Sequence, residues 1–177
     1  MIHVALLRGI NVGGKNPLPM KDLVRIFEGA GGANVRTYIQ SGNVIFEAPV
    51  GAAKVGEIVS AKIEKQFGYR IPVVLRTSVE LQKAIGANPF LEAGVDLKAL
   101  HVYFLADIAN ARAIAGLDPA RSAPDAFHVS GREIYLHMPN GMGRSKLTNA
   151  YFDSKLSTVS TARNWATVLK LAEMMAG

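Results

Sequence analysis

The sequence contains no cysteine. That excludes disulfides, thiolate metal sites and a cysteine nucleophile. It also lacks any apolar run near the ~20 residues a membrane-spanning helix needs. Its opening, MIHVALLRGINVGG, has a short apolar run and no basic segment before it, so it reads as a strand and not as a signal peptide. The expected location is the cytoplasm, with no membrane partner. Charged residues are scarce, at 19%, and no long run of one sign occurs, while 49% of the 177 residues are apolar. This composition excludes wholesale disorder and supplies a sizeable core. There is no HExxH, and His101, His128 and His137, spaced by 27 and 9 residues, match no metal-ligand pattern. No metal site is therefore expected, and no cofactor can be named. No pair of carboxylates lies inside a distinctive motif, so acid/base catalysis has no starting point.

What is present in excess is positive charge, +6 overall, and it is unevenly placed. Residues 1–40 hold five Lys/Arg against two Asp/Glu, residues 140–177 again five against two, and residues 41–139 ten of each. A basic excess fits nucleic acid or another polyanion, and equally a solvated surface.

Periodicity gives the elements. His3–Arg8 reads as a buried strand, Gly9–Pro19 as a glycine-rich loop, and Met20, Leu23, Val24 and Phe27 as one helix face. Val35–Gln40 and Val44–Glu47, separated by Ser41-Gly42-Asn43, read as a hairpin. Val55, Ile58, Val59, Ile63 and Phe67 mark a second helix, and Ile71–Leu75 a further strand. The order β-α-β-β-α-β is ferredoxin-like. Beyond it come a short helix at Ser78–Ala87, a turn at Asn88-Pro89-Phe90, a strand at Leu100–Ala106 and a weak helix at Ile108–Ala115. A hairpin follows from Ala126–Ser130 and Glu133–Leu136, then a helical turn at Ser145–Ala150 and a helix at Arg163–Met175. His3-Val4-Ala5-Leu6-Leu7 resembles His101-Val102-Tyr103-Phe104-Leu105, and the two Ser-Gly hairpins resemble each other, closed by Pro49 and Pro139. The fold class is α+β, an internal duplication of a ferredoxin-like β-α-β-β-α half. The expected division is residues 1–77 and 78–177.

Three long segments resemble signatures of an uncharacterised bacterial family, the domain-of-unknown-function family 1697. They are Leu6–Lys15 followed by Met20, Thr37–Val44, and Thr161–Val168 with Lys170-Leu171. Asn88-Pro89-Phe90 and Gly143–Leu147 fit as well. The resemblance implies two similar α+β subdomains and no established activity.

Three stretches could hold a ligand. Gly9–Lys15 follows a strand and precedes a helix, where backbone N–H groups can cradle an anion, with Arg8, Asn11, Gly13, Gly14 and Lys15 as contacts. It fits GxxxxGK, but Asn16 replaces the magnesium-binding hydroxyl and Pro17 keeps the helix from starting at the lysine. The bland alternative is a tight turn. The second stretch is Ser41-Gly42-Asn43 with Tyr38 and Gln40, which are expected to share a strand face. Ser41 as a nucleophile has no accompanying motif, so turn chemistry is the better account. The third is Arg144, Lys146, Arg163 and Asn164, with Thr161 as N-cap and Arg163 in the first turn of the last helix.

The leading function is a binding module for an anionic ligand, either nucleic acid, nucleotide or phosphometabolite, at one basic cleft between the halves. The rival is a phosphate-handling transferase or hydrolase using Arg8, Lys15 and Arg163. A third possibility is an interaction protein whose motifs are structural. An open sheet face bearing aromatics would favour RNA.

Overall fold

The computed structural model describes residues 1–48 and 51–177; Pro49 therefore lies outside the described residues. The chain forms two compact units, residues 1–82 with 170–177 (unit 1) and residues 83–169 (unit 2).

Unit 1 begins with β1 (Ile2–Leu7), α1 (Met20–Gly29), β2 (Ala33–Tyr38), β3 (Asn43–Glu47), α2 (Ala52–Phe67) and β4 (Val73–Thr77). Its antiparallel sheet has the order β2-β3-β1-β4, the ferredoxin-like arrangement. Alternate residues of β1 and β3, Ala5, Leu7, Val44 and Phe46, pack on Leu23, Ile26 and Phe27 of α1 and on Val55, Val59 and Ile63 of α2. The intervening residues Val4, Leu6 and Ile45 are no more than 1% exposed, so both faces of these central strands are buried. At the edge, Arg36 Nη2 donates to the Met174 carbonyl at 2.9 Å.

After α3 (Ser78–Gly86), unit 2 repeats the plan with β5 (Leu100–Leu105), α4 (Ala111–Ala115), β6 (Ala126–Ser130), β7 (Glu133–His137), α5 (Asn149–Leu156) and β8 (Ser160–Asn164), before α6 (Trp165–Ala176). The sheet order is β6-β7-β5-β8, the same as in unit 1. The two halves are thus similar, as the repeat requires. Tyr103, Leu105, Ile134 and Leu136 pack on Tyr151, Phe152 and Leu156 of α5. On the opposite face the Tyr135 hydroxyl donates to Ala84 O of α3 at 2.7 Å. Among the described residues, no helix is long and apolar enough to cross a membrane.

Several sequence expectations need correction. β4 starts two residues later than Ile71. The β2–β3 connection is the four-residue loop Ile39–Gly42, and Asn43 already pairs with Tyr38 in the ladder. Gln40 therefore lies in the turn and does not share a strand face with Tyr38. The helical turn expected at Ser145–Ala150 is a 3₁₀ turn at Met142–Arg144, with the full helix α5 following it. The largest difference is β8. Thr161 and Arg163 sit in a strand, and α6 starts only at Trp165. Its N-cap is Asn164, whose Oδ1 accepts the Thr167 N–H at 2.8 Å, so Thr161 is not the cap.

The duplication reaches further than the hairpins. Val4 faces Arg76 and His3 faces Thr77 in one sheet, while Val102 faces Arg163 and His101 faces Asn164 in the other. Each arginine is buried and donates from Nη1 to the carbonyl of its preceding residue, Leu75 at 2.8 Å and Ala162 at 2.7 Å. Each is followed by the residue that caps the next helix. Thr77 Oγ1 accepts from Glu80 N at 3.2 Å while Glu80 Oε2 accepts from Thr77 N at 2.8 Å, a capping box.

Tyr103 shows how the second core is pinned. It is 1% exposed and its hydroxyl donates to Leu147 O at 2.8 Å. Burial, and secondarily the Asp125 carboxylate, push its pKa up to about 12. The unfolded chain releases this proton near pH 10, before the folded chain does. The stabilisation is therefore complete below pH 10 and lost as pH rises through about 12. Tyr103→Phe is expected to cost about 1 kcal/mol at pH 7. Urea titrations should show that deficit closing as the pH is raised above 10. A deficit that stays constant over this range would contradict the assignment.

Candidate functional site

The first glycine-rich motif begins where β1 ends. Leu7 N–H donates to Gly42 O at 2.8 Å and Arg8 N–H to Pro72 O at 3.1 Å, so both neighbouring segments hold the strand's exit. The chain then makes a small hairpin arm. Asn11 N–H donates to Asn16 O at 3.1 Å, Lys15 N–H to Val12 O at 2.9 Å, and Asn16 Nδ2 to Gly9 O at 2.9 Å. The tip is Gly13-Gly14, with φ of 57° and 73°. Two successive positive φ values define the type I′ turn, which explains two glycines in a row.

This arm is not a P-loop cradle. The sheet is antiparallel, and α1 starts at Met20, five residues past Lys15. The N–H groups of Asn11 and Lys15 are used inside the arm, and that of Leu18 donates to Asn11 Oδ1 at 2.7 Å.

The second motif forms the adjoining loop. Asn43 is fully buried, and its Nδ2 donates to Tyr38 O and to Ser41 Oγ, both at 3.1 Å. The amide donating to Oγ orients the turn. Asn11 ties the two motifs together, because its Nδ2 donates to Leu18 O at 2.8 Å and to Gln40 O at 2.9 Å. Of the nine residues expected in this region, Asn11 and Asn43 are braces, and Gly13 and Gly14 form a turn. Lys15 and Gln40 are exposed, whereas Arg8, Tyr38 and Ser41 are half-buried.

Two apolar residues were missed. Val12 is 57% exposed and Ile39 52%, one on each loop. Ile39 also has φ of 48°, a left-handed conformation that a β-branched residue adopts only under strain. No sequence signal separates this isoleucine from an ordinary strand residue.

Unit 2 supplies an internal control. Leu105 N–H donates to Arg132 O and Ala106 N–H to Val159 O, both at 2.8 Å, reproducing the exit of β1. Yet β5 connects to its helix through residues 106–110, against residues 8–19 in unit 1. The β6–β7 turn is residues 131–132, against 39–42. The same scaffold thus carries two longer loops in unit 1, and both are motifs.

The four candidate residues of unit 2 do different jobs. Arg144 and Lys146 are exposed. The Lys146 backbone is fixed, its N–H donating to Ser122 Oγ and its carbonyl accepting from Arg121 Nε, both at 2.9 Å. The Arg121 guanidinium also lies 4.0 Å from the centre of the Tyr151 ring. Arg163 is buried, with Nη1 donating to Thr161 Oγ1 at 2.9 Å as well as to Ala162 O, and burial lowers its pKa to about 10. Asn164 is the helix cap described above. His101, His128 and His137 fall on β5, β6 and β7, and among the described residues no three His, Asp or Glu side chains cluster as a metal site would require.

The class these features define is a duplicated ferredoxin-like α+β protein with elaborated loops on one copy. The chain belongs to the family described as "Protein of unknown function (DUF1697)", which matches residues 1–135. It is similar in structure to the conserved bacterial protein SP0830 from Streptococcus pneumoniae, with a TM-score of 0.78, 19% identity, and 99% of this chain and 98% of that chain covered. At that identity the likeness is one of fold. No curated protein matches the sequence.

Proposed function

We propose that the protein is a binding module for a phosphate-bearing ligand, which the paired loops of unit 1 grip. The observation that carries this reading is the Asn11–Gln40 tie, which holds two enlarged motif loops side by side where the duplicate copy has short turns. A fold has no need of the extra residues, since unit 2 reaches the same sheet without them. The loops expose a cation at Lys15 and an amide at Gln40, and residues 8–19 and 39–42 include no Asp or Glu. That set complements an anion. Val12 and Ile39 beside them favour a ligand with an apolar or planar part, as a nucleotide has. Recognition of unpaired bases on an open sheet face is a poor fit, because the central strands are buried on both faces.

The test is calorimetric titration with inorganic phosphate, a nucleoside monophosphate and a short single-stranded oligonucleotide at two salt concentrations. Affinity for at least one should fall as salt rises, and Lys15→Ala should weaken it about fivefold or more without moving the unfolding midpoint. Unchanged binding in Lys15→Ala, or no binding of any of the three, would refute the reading.

A further inference from the structure

Six residues line a concavity of about 250 Å³ in unit 2. Leu97 and Lys98 come from the 3₁₀ turn ahead of β5, Asn164 from the end of β8, and Trp165, Ala166 and Leu169 from the start of α6. Four of the six are apolar. Leu97 is 52% exposed and Leu169 41%, while Trp165, the only tryptophan in the chain, is 3% exposed. Single exposed leucines are ordinary on a protein surface. Two of them beside one recess, with an indole in the same lining, make an apolar site of small-molecule kind.

The two polar residues have one property in common. Asn164 Oδ1 accepts the Thr167 N–H at 2.8 Å, which fixes the orientation of the amide. What this side chain can offer a ligand is therefore the Nδ2 donor. Lys98 carries an ammonium, which only donates. The nearby Asp96 is engaged with the turn, its Oδ1 accepting the Lys98 backbone N–H at 3.0 Å, and no acidic side chain belongs to the lining. The recess thus combines apolar surface with two donors, one of them cationic. That chemistry complements a hydrocarbon or ring that ends in an acceptor-only anion.

We propose that this recess binds a small amphiphilic carboxylate. Its hydrocarbon lies against Leu97, Trp165, Ala166 and Leu169, and its carboxylate lies between Lys98 and Asn164. The site is independent of the unit 1 loops and does not rest on the reading given for them.

Octanoate and its neutral isostere octanamide are suitable probes, titrated into the full chain and read by calorimetry and by Trp165 emission. Because no other tryptophan is present, that emission reports on this recess alone. Octanoate should bind saturably and shift the emission, and octanamide should bind roughly twofold to fivefold more weakly, the factor expected of an exposed charge-assisted pair. Lys98→Met should remove the preference for octanoate while octanamide binding persists. Ala166→Leu, an exposed and helix-compatible change, should weaken both probes. Absence of saturable octanoate binding would overturn the proposal. So would equal affinity for the two probes in the unaltered protein, or a preference that survives Lys98→Met.

Discussion

Gly42→Ala should lower the unfolding free energy by about 3–4 kcal/mol, a large share of the 5–15 kcal/mol typical of a domain. Two costs combine. The residue has φ of 87°, where any Cβ is strained by roughly 1–2 kcal/mol. A Cβ there would also lie 2.8 Å from Leu7 Cβ and 3.1 Å from both Ile10 Cγ1 and Leu7 O. None of these neighbours can yield. Leu7 and Ile10 are fully buried, and the Leu7 N–H is bonded to Gly42 O. Overpacking of this kind costs about 1–3 kcal/mol. The matched control is Gly14→Ala, with φ of 73° and nothing within 4 Å of the added atom, which should cost only about 1 kcal/mol. Urea titrations of the two variants measure the difference. If they lose similar amounts, the close approach of the β2–β3 loop to the β1 exit is not as described.

The requirement for glycine comes from the longer loop. In unit 2 the corresponding carbonyl belongs to Arg132, within the two-residue turn between β6 and β7, and a large side chain is tolerated there. The Ser-Gly pairs at Ser41-Gly42 and Ser130-Gly131 look alike in the sequence, but the two turns differ in length.

That difference shows what a sequence exposes and what it hides. The first half was legible because its strands are dense in β-branched residues and its helices keep one buried stripe, as Leu23, Ile26 and Phe27 do. β8 was hidden because Ser160-Thr161-Ala162-Arg163-Asn164 has one β-branched residue, and its periodic neighbours belong to the following helix. What makes it a strand is tertiary, a ladder with β5 from His101 to Leu105. α5 was hidden because its eight residues hold a single buried pair at helical spacing, Phe152 and Leu156, too short a run to show a repeat. At the candidate site, the glycines announced a turn and the lysine a possible anion contact. The bracing role of Asn11 was not legible, since its partners lie 7 and 29 residues away. The strain at Ile39 was hidden because isoleucine is itself a strand former.

Asn11→Ala should destabilise the protein by about 3 kcal/mol and detach the two motif loops from each other. One side chain makes three hydrogen bonds, accepting from Leu18 N at 2.7 Å and donating to Leu18 O at 2.8 Å and Gln40 O at 2.9 Å. Leu18 is 1% exposed, so both its peptide groups lose a partner where water cannot easily replace it, at about 1–3 kcal/mol for each buried group. Asn11 also has φ of 52°, which asparagine tolerates better than alanine. Asn11→Gly removes the same hydrogen bonds without that backbone strain. The gap between the two variants, about 1 kcal/mol, isolates the conformational share. Asn11→Asp keeps the acceptor for Leu18 N but turns a carboxylate toward two carbonyls, so at pH 7 it should rescue little. Amide exchange distinguishes a loosened loop from global weakening. Leu18 and Lys15 should lose protection in Asn11→Gly, while Val4, Ala5 and Val44 of the central strands keep theirs. Ligand affinity at the loops should then fall further than in Lys15→Ala, because the tie positions every contact on both loops and the lysine is only one of them. Retained protection at Leu18 with intact affinity would mean that Asn11 is not what holds the site together.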